Sequence, residues 1–277
     1  MVPSRIAGCP FPGGPLGRTS QTGSGPVGRG RLAPLPAKLY VVHGSHPCNT
    51  VAKALELKGI AFRKVEIPPP GQVVAVRLMF PGRTVPAIRF EDGRKLQGSR
   101  AILAELDRLV PEPALLPADP AAAARVLEAE RWGDEVLQPL ARRILWPTLR
   151  DNASAAPSFG EGGQLPLPGA MLRASMPLIA RLEIRINQAT PAAVAADFAA
   201  LPDYLARLDD WIADGTLGGG SPNRADLQIA PSIALLMTMQ DLRDRIAARP
   251  CGRLADRHFT VGGHIPAGAI APELLPA

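Results

Sequence analysis

KLYVVHGSHPCNT, residues Lys38–Thr50, changes character half-way along. Lys38–His43 is a short β-rich run of the kind that pairs into a sheet. From Asn49 to Lys58 the apolar residues Val51, Ala54 and Leu55 recur at helical spacing, and Gly59 supplies the stop. Gly44-Ser45-His46-Pro47-Cys48 therefore joins the carboxyl end of a strand to the first turn of a helix. Unpaired backbone N–H groups collect at such a place, and the helix dipole favours anions there. A thiolate so placed is stabilised and becomes more reactive. The turn carries one hydroxyl, Ser45, and one thiol, Cys48, three residues apart.

Working outward, Ala61–Ile67 reads as a second strand, parallel to the first because a helix lies between them. Pro68-Pro69-Pro70-Gly71 breaks the chain before a short helix, Gln72–Phe80. Thr84–Phe90 and Lys95–Gln97 flank Glu91-Asp92-Gly93-Arg94, a hairpin signal, with Pro86 near the start of the first hairpin strand. Ser99–Val110 reads as a helix capped by Ser99 and stopped before Pro111. The order βαβ, short helix, ββα is that of a small α/β domain, a mixed sheet with helices on both sides.

Beyond the proline-rich Pro111–Pro120 the strand signal disappears. Asp119 can cap a long helix from Pro120 whose stripe takes in Leu127, Trp132, Val136, Leu140 and Ile144, with Pro139 and Pro147 expected to kink or end it. Residues 151–169 read as a loop, followed by helices over Met171–Gln188 and Pro191–Ala213, the second capped by Thr190. After the glycine-rich residues 214–222, Asn223-Arg224-Ala225-Asp226 opens an apolar helix in the manner of a capping box. The expected organisation is a basic Gly/Pro-rich disordered arm (1–37), an α/β domain (38–110), a linker (111–119) and an all-helical domain (120–277). An over-extended start would give the same reading of the arm.

The net charge of +6 is unevenly placed: residues 1–37 hold four arginines and no acid, which leaves +2 for the rest. With 4% aromatic residues and no basic stripe among them, the composition disfavours a nucleic-acid binder. Cys9, Cys48 and Cys251 lie far apart and make no disulfide framework, so a reducing cytoplasm is expected. Apolar runs such as Ile229–Met239 are too short to span a bilayer. Gly23-Ser24-Gly25 in the arm lacks the flanking strand and helix of a serine-nucleophile turn.

Two chemistries suit the Ser45–Cys48 turn. A redox dithiol needs an attacking thiol where Ser45 stands, and a hydroxyl cannot form a disulfide. Alternatively the nucleophile is a bound thiol cosubstrate, whose pKa falls when Ser45 donates a hydrogen bond to its sulfur. Here the residues resemble a family. Ser45-His46-Pro47-Cys48, Thr84-Val85-Pro86-Ala87, Ser99 at the next helix start and the Asn223-x-x-Asp226 box are similar to the cytosolic glutathione transferases, the turn most closely to their theta-like, serine-type members.

That resemblance implies a thioredoxin-like α/β domain followed by a helical one, with Pro86 in the cis form. It implies glutathione as cosubstrate, extended beside Val85 and Pro86 as an added strand, its γ-glutamyl carboxylate at Gly98-Ser99 and its sulfur at Ser45. It also implies a small electrophile met by the helical domain around Arg131, Trp132 and Trp146, a detoxifying role, and a homodimer, with no metal. One departure is that Gly98 stands where the family has an acidic residue or Gln, while Gln97 lies one place earlier and should point to the other side of the strand end. A different low-molecular-weight thiol therefore stays open.

Other readings of the same residues stand beside this one. Ser45 and Ser99 can serve as helix caps alone, Cys48 as a small buried residue, and Tyr40 and Trp132 as packing. His43, His46 and Cys48 make a metal trio without the further ligands zinc usually takes. A thiol reductase working through Cys48 and a non-catalytic binding module on the same fold are the alternatives to the transferase.

Overall fold

β1 (Ala37–Val41) and β2 (Phe62–Glu66) run parallel because α1 (His46–Leu57) carries the chain back between them. β3 (Ala87–Arg89) and β4 (Lys95–Gln97) form an antiparallel hairpin, and β3 lies beside β1, giving the strand order β2-β1-β3-β4. The computed structural model describes residues 37–68, 71–165 and 167–275. The arm expected at 1–37, with Cys9 and Gly23-Ser24-Gly25, lies outside them, except for Ala37, which begins β1.

Alternation along β1 places Leu39 and Val41 in the main core with α1 and α3 (Ser99–Leu109). Tyr40 points the other way, toward α2 (Gln72–Met79), where its ring meets Phe80 edge-on at 5.2 Å. Several boundaries differ from the expectation, each for a local reason. α1 starts at His46 rather than Asn49, since a proline in the first helical turn forfeits no needed N–H. β3 is shorter than Thr84–Phe90 because Pro86 has no N–H to extend the ladder. The cap of α3 is Gly98, in a left-handed conformation at φ 88°, and Ser99 is the first helical residue rather than the cap.

The rest of the described chain is helical. Asp119 caps α4 (Pro120–Trp132) by accepting from the N–H of Ala122 at 2.7 Å. A π-helical turn, Gly133–Leu137, leads into α5 (Gln138–Asp151), which runs through Pro147 instead of ending there. The expected loop after Asp151 contains a 3₁₀ run, Ala153–Gly160, before α6 (Gly169–Ile186). α7 (Pro191–Ala213) is capped by Thr190 as expected, and α8 (Arg224–Leu236), α9 (Gln240–Ile246) and α10 (Pro250–His258) follow. No described helix is long and apolar enough to cross a membrane.

α8 is buried along its whole length. Its capping box is complete: Asn223 Oδ1 accepts from the Asp226 N–H at 3.0 Å, and Asp226 Oδ2 accepts from the Asn223 N–H at 2.9 Å. Asp226 Oδ1 accepts a further bond from the Gly218 N–H at 2.8 Å. The Arg224 guanidinium meets the buried Glu130 carboxylate at 2.9 Å and joins α8 to α4. α8 also meets the start of α1. Thr50 Oγ1 donates to the Leu227 carbonyl at 2.7 Å, and His46 Nδ1 lies 3.0 Å from Ser232 Oγ. At the far end of α1 the buried Lys58 ammonium donates to Asp107 on α3 at 2.7 Å and to the Pro113 carbonyl at 2.6 Å.

Two outcomes follow from these buried polar joints. Asp226→Ala strands two backbone N–H groups at a buried helix end and should cost about 3 kcal/mol of stability in urea unfolding. His46 is held well below its usual 6.5 by burial first and by the Arg142 charge second. The unfolded chain therefore takes up a proton below about 6.5 that the folded chain refuses, and His46 makes stability fall as pH drops through that range. In His46→Gln the loss of stability between about pH 7.5 and 5.5 should be smaller by about 1 kcal/mol.

Candidate active site

Sheet register brings the expected site segments to one end of the sheet. Tyr40 pairs with Ala87, and Ala87 with Gln97. The turn after β1, the residues before β3 and those after β4 therefore emerge side by side, carrying Ser45, Val85-Pro86 and Gly98-Ser99. The Gly98 N–H donates to the Pro86 carbonyl at 2.9 Å, and the Val85–Pro86 peptide is cis.

Within the turn, Gly44 takes φ 72°, a conformation that disfavours any residue with a side chain. The Ser45 N–H donates back to the Val42 carbonyl at 3.2 Å, and Ser45 sits at the N-cap of α1. Its side chain makes no capping bond; its carbonyl oxygen accepts instead from the N–H groups of Cys48 and Asn49, both at 3.0 Å. Ser45 is half-buried, whereas Cys48 is 2% exposed. Burial pushes the Cys48 thiol up to about 11, against the pull of the Ser45 side chain, the Val42 backbone and the Lys64 charge. His43 Nε2 turns to the Glu161 carbonyl at 2.9 Å and His46 to Ser232, so these two imidazoles engage separate partners.

Val85 is half-buried and makes no backbone–backbone hydrogen bond among the described residues. Ser99 is 4% exposed in the first turn of α3, and no side chain caps that helix. The uncapped first-turn N–H groups favour an anion. Gln97 is committed elsewhere, as its position suggested: Oε1 accepts from the Gly82 N–H at 2.8 Å and Nε2 donates to the Thr84 carbonyl at 2.6 Å.

Several polar residues of this region gave no motif. Asp134, in the π turn, accepts from Gln228 Nε2 at 3.1 Å; burial first raises its pKa, against the pull of the Arg100 and Arg142 charges. Gln72, at the start of α2, donates to Glu183 on α6 at 3.4 Å. Residues 153–164 form a strap past the turn: beyond the His43 contact, the Gln164 N–H donates to Glu66 at 2.7 Å. The tail reaches the strap through the His264 N–H, which donates to Ser158 Oγ at 2.9 Å. The signal for Asp134 and Arg142 in the sequence was only that charges interrupt an otherwise apolar helical stripe. Of the aromatic residues expected near an electrophile, Trp132 is a core residue, its ring edge-on to Tyr204 at 5.3 Å and Trp211 at 5.4 Å. Arg131 is exposed and Trp146 half-buried.

Residues 39–114 match the family model described as glutathione S-transferase, N-terminal domain. No curated protein sequence matches the chain. Among solved structures, a glutathione S-transferase from Rhodospirillum rubrum F11 aligns with 84% of this chain and 97% of its own, at 18% identity and a TM-score of 0.53. A glutathione S-transferase from Methylobacterium radiotolerans, solved in complex with glutathione sulfonate, aligns with 80% of this chain and 90% of its own, at 20% identity and a TM-score of 0.50. With a thioredoxin-like domain matched by that family model and a helical region after it, the chain has the glutathione transferase architecture.

Proposed function

We propose that the chain activates the thiol of glutathione, or of a related low-molecular-weight thiol, and transfers it to a small electrophile. The observation that carries this reading is the Ser45 side chain, which makes no capping bond and stands at the sheet end where Val85-Pro86 and Gly98-Ser99 also emerge. Its pull on the Cys48 thiol is downward in pKa, the effect a bound cosubstrate needs. In the proposed step the thiol proton passes to solvent and Ser45 Oγ–H donates to the thiolate. The sulfur then bonds to the electrophilic carbon as the leaving group departs with its electron pair.

Glutathione would lie extended beside Val85 and Pro86, pairing with the backbone of Val85, which makes no backbone–backbone hydrogen bond among the described residues, with its γ-glutamyl carboxylate at Gly98-Ser99. The family match over residues 39–114 supports the class of cosubstrate. Cys48 speaks against the thiol-reductase alternative, because a buried thiol at about 11 is almost wholly protonated at neutral pH. The same reading makes the protein a cytoplasmic enzyme, a homodimer by family resemblance, with no metal, nucleic acid or membrane in its chemistry.

Glutathione should raise the melting temperature of the purified protein and be consumed with an activated chloronitrobenzene. Ser45→Ala should lower kcat/KM about 10- to 100-fold, the cost of one hydrogen bond to a charged group. It should also move the half-maximal rate to higher pH, because the bound thiol loses its donor. Full activity in Ser45→Ala would remove the role given to that hydroxyl. Mass spectrometry after treatment with glutathione disulfide should show Cys48 unmodified.

A further inference from the structure

Buried polar atoms without partners occur on four of the helices: His46 Nε2 on α1, Gln72 Oε1 on α2, Arg142 Nε on α5 and Gln228 Oε1 on α8. Buried groups of this kind are normally satisfied, so each orphan is a place where a polar partner fits. Arg142 is the charged member. Its Nη1 donates to Gln138 Oε1 at 2.8 Å, and it forms no ion pair within 4 Å among the described residues. The next residue makes the contrast: Arg143 is held by both oxygens of Asp197, at 2.6 and 2.7 Å.

Two carboxylates act on Arg142 from further away, and amides already hold both. Asp134 accepts from Gln228, and Glu183 from Asn187 and Gln72. Arg142 lines a cavity of about 370 Å³ with Pro139, Asn187, Gln188 and Ala193. Its charge is also felt at His46, the residue after Ser45. A desolvated guanidinium without a counter-ion is costly, and its planar fork of donors matches a carboxylate.

We propose that Arg142 is the carboxylate-recognition residue for the second substrate, so that the chain selects electrophiles bearing a carboxylate. The anion site stands on Arg142 and its cavity; the electrophile role rests on the transferase reading above. Selection by such a group is strong because an uncharged analogue in the site leaves the half-buried cation unpaired.

The test uses 4-chloro-3-nitrobenzoate and its methyl ester, which share one reacting carbon. The thiolate sulfur bonds to that ring carbon, chloride leaves with the C–Cl electron pair, and the thiol proton goes to solvent. The readout is the ratio of kcat/KM for the acid to that for the ester, in which the intrinsic reactivity difference cancels between variants. Arg142→Gln should lower this ratio about tenfold or more, and Arg142→Lys less. An unchanged ratio in Arg142→Gln would overturn the proposal. A second readout needs no thiol and no variant: benzoate should raise the melting temperature of the wild-type chain where benzamide does not. Equal shifts with the two would overturn the anion site itself. No turnover of either nitrobenzene beside a benzoate-specific shift would overturn the electrophile role and uphold the anion site.

Discussion

A helix buried on every side has to satisfy its own first turn, and in α8 the Asn223–Asp226 box does so. Left unpaired, those N–H groups would each cost about 1–3 kcal/mol. With its start secured, α8 becomes the element on which others are placed. Arg224 ties it to Glu130 on α4, Leu227 and Ser232 receive Thr50 and His46 from α1, and Gln228 reaches Asp134 in the π turn. The turn after β1 is thus positioned as much by a helix far along the sequence as by the sheet it leaves.

That placement explains why so much polar chemistry lies near the turn without being part of it. α1 packs on α8 through apolar residues, but its first turn brings His46 into a site from which water is largely excluded. Desolvation keeps the imidazole neutral, and Arg142 adds to that effect. The guanidinium and the carboxylates of Asp134 and Glu183 each lose solvation, and amides rather than direct ion pairs hold the two acids. Charges separated in this way keep their fields in an interior of low dielectric.

The layout of the chain was legible because its signals are local. The strand-to-helix change at Lys38–Thr50, the Asp-Gly hairpin, and the caps Asp119, Thr190 and Asn223 each depend on neighbours a few residues away. The candidate site was legible as far as the turn and the two strand ends. The meeting of Asp134 with Gln228 was not: the π turn and α8 lie far apart in sequence, and only tertiary packing brings those two side chains together. The strap at 153–164 read as a plain loop because its contacts run to His43, Glu66 and the tail, distant in sequence. Ser99 reads as a cap because serine so often is one, but a glycine at φ 88° turns the chain one residue earlier.

Two pairs at the same helical spacing show how a motif is put to opposite uses. In α8 the N-cap residue and the residue three on, Asn223 and Asp226, exchange hydrogen bonds and close the helix start. In α1 the same positions hold Ser45 and Cys48, and the N–H of Cys48 goes to the Ser45 carbonyl, leaving the hydroxyl out of the cap. α3 begins on Gly98, with no side-chain acceptor. α6, α9 and α10 also start without a side-chain cap, so openness alone marks nothing. α1 and α3 differ in that sheet register delivers both starts to one end of the sheet. Two helix starts without side-chain caps, a half-buried hydroxyl at the first of them and a buried thiol in its first turn therefore stand at one end of the sheet.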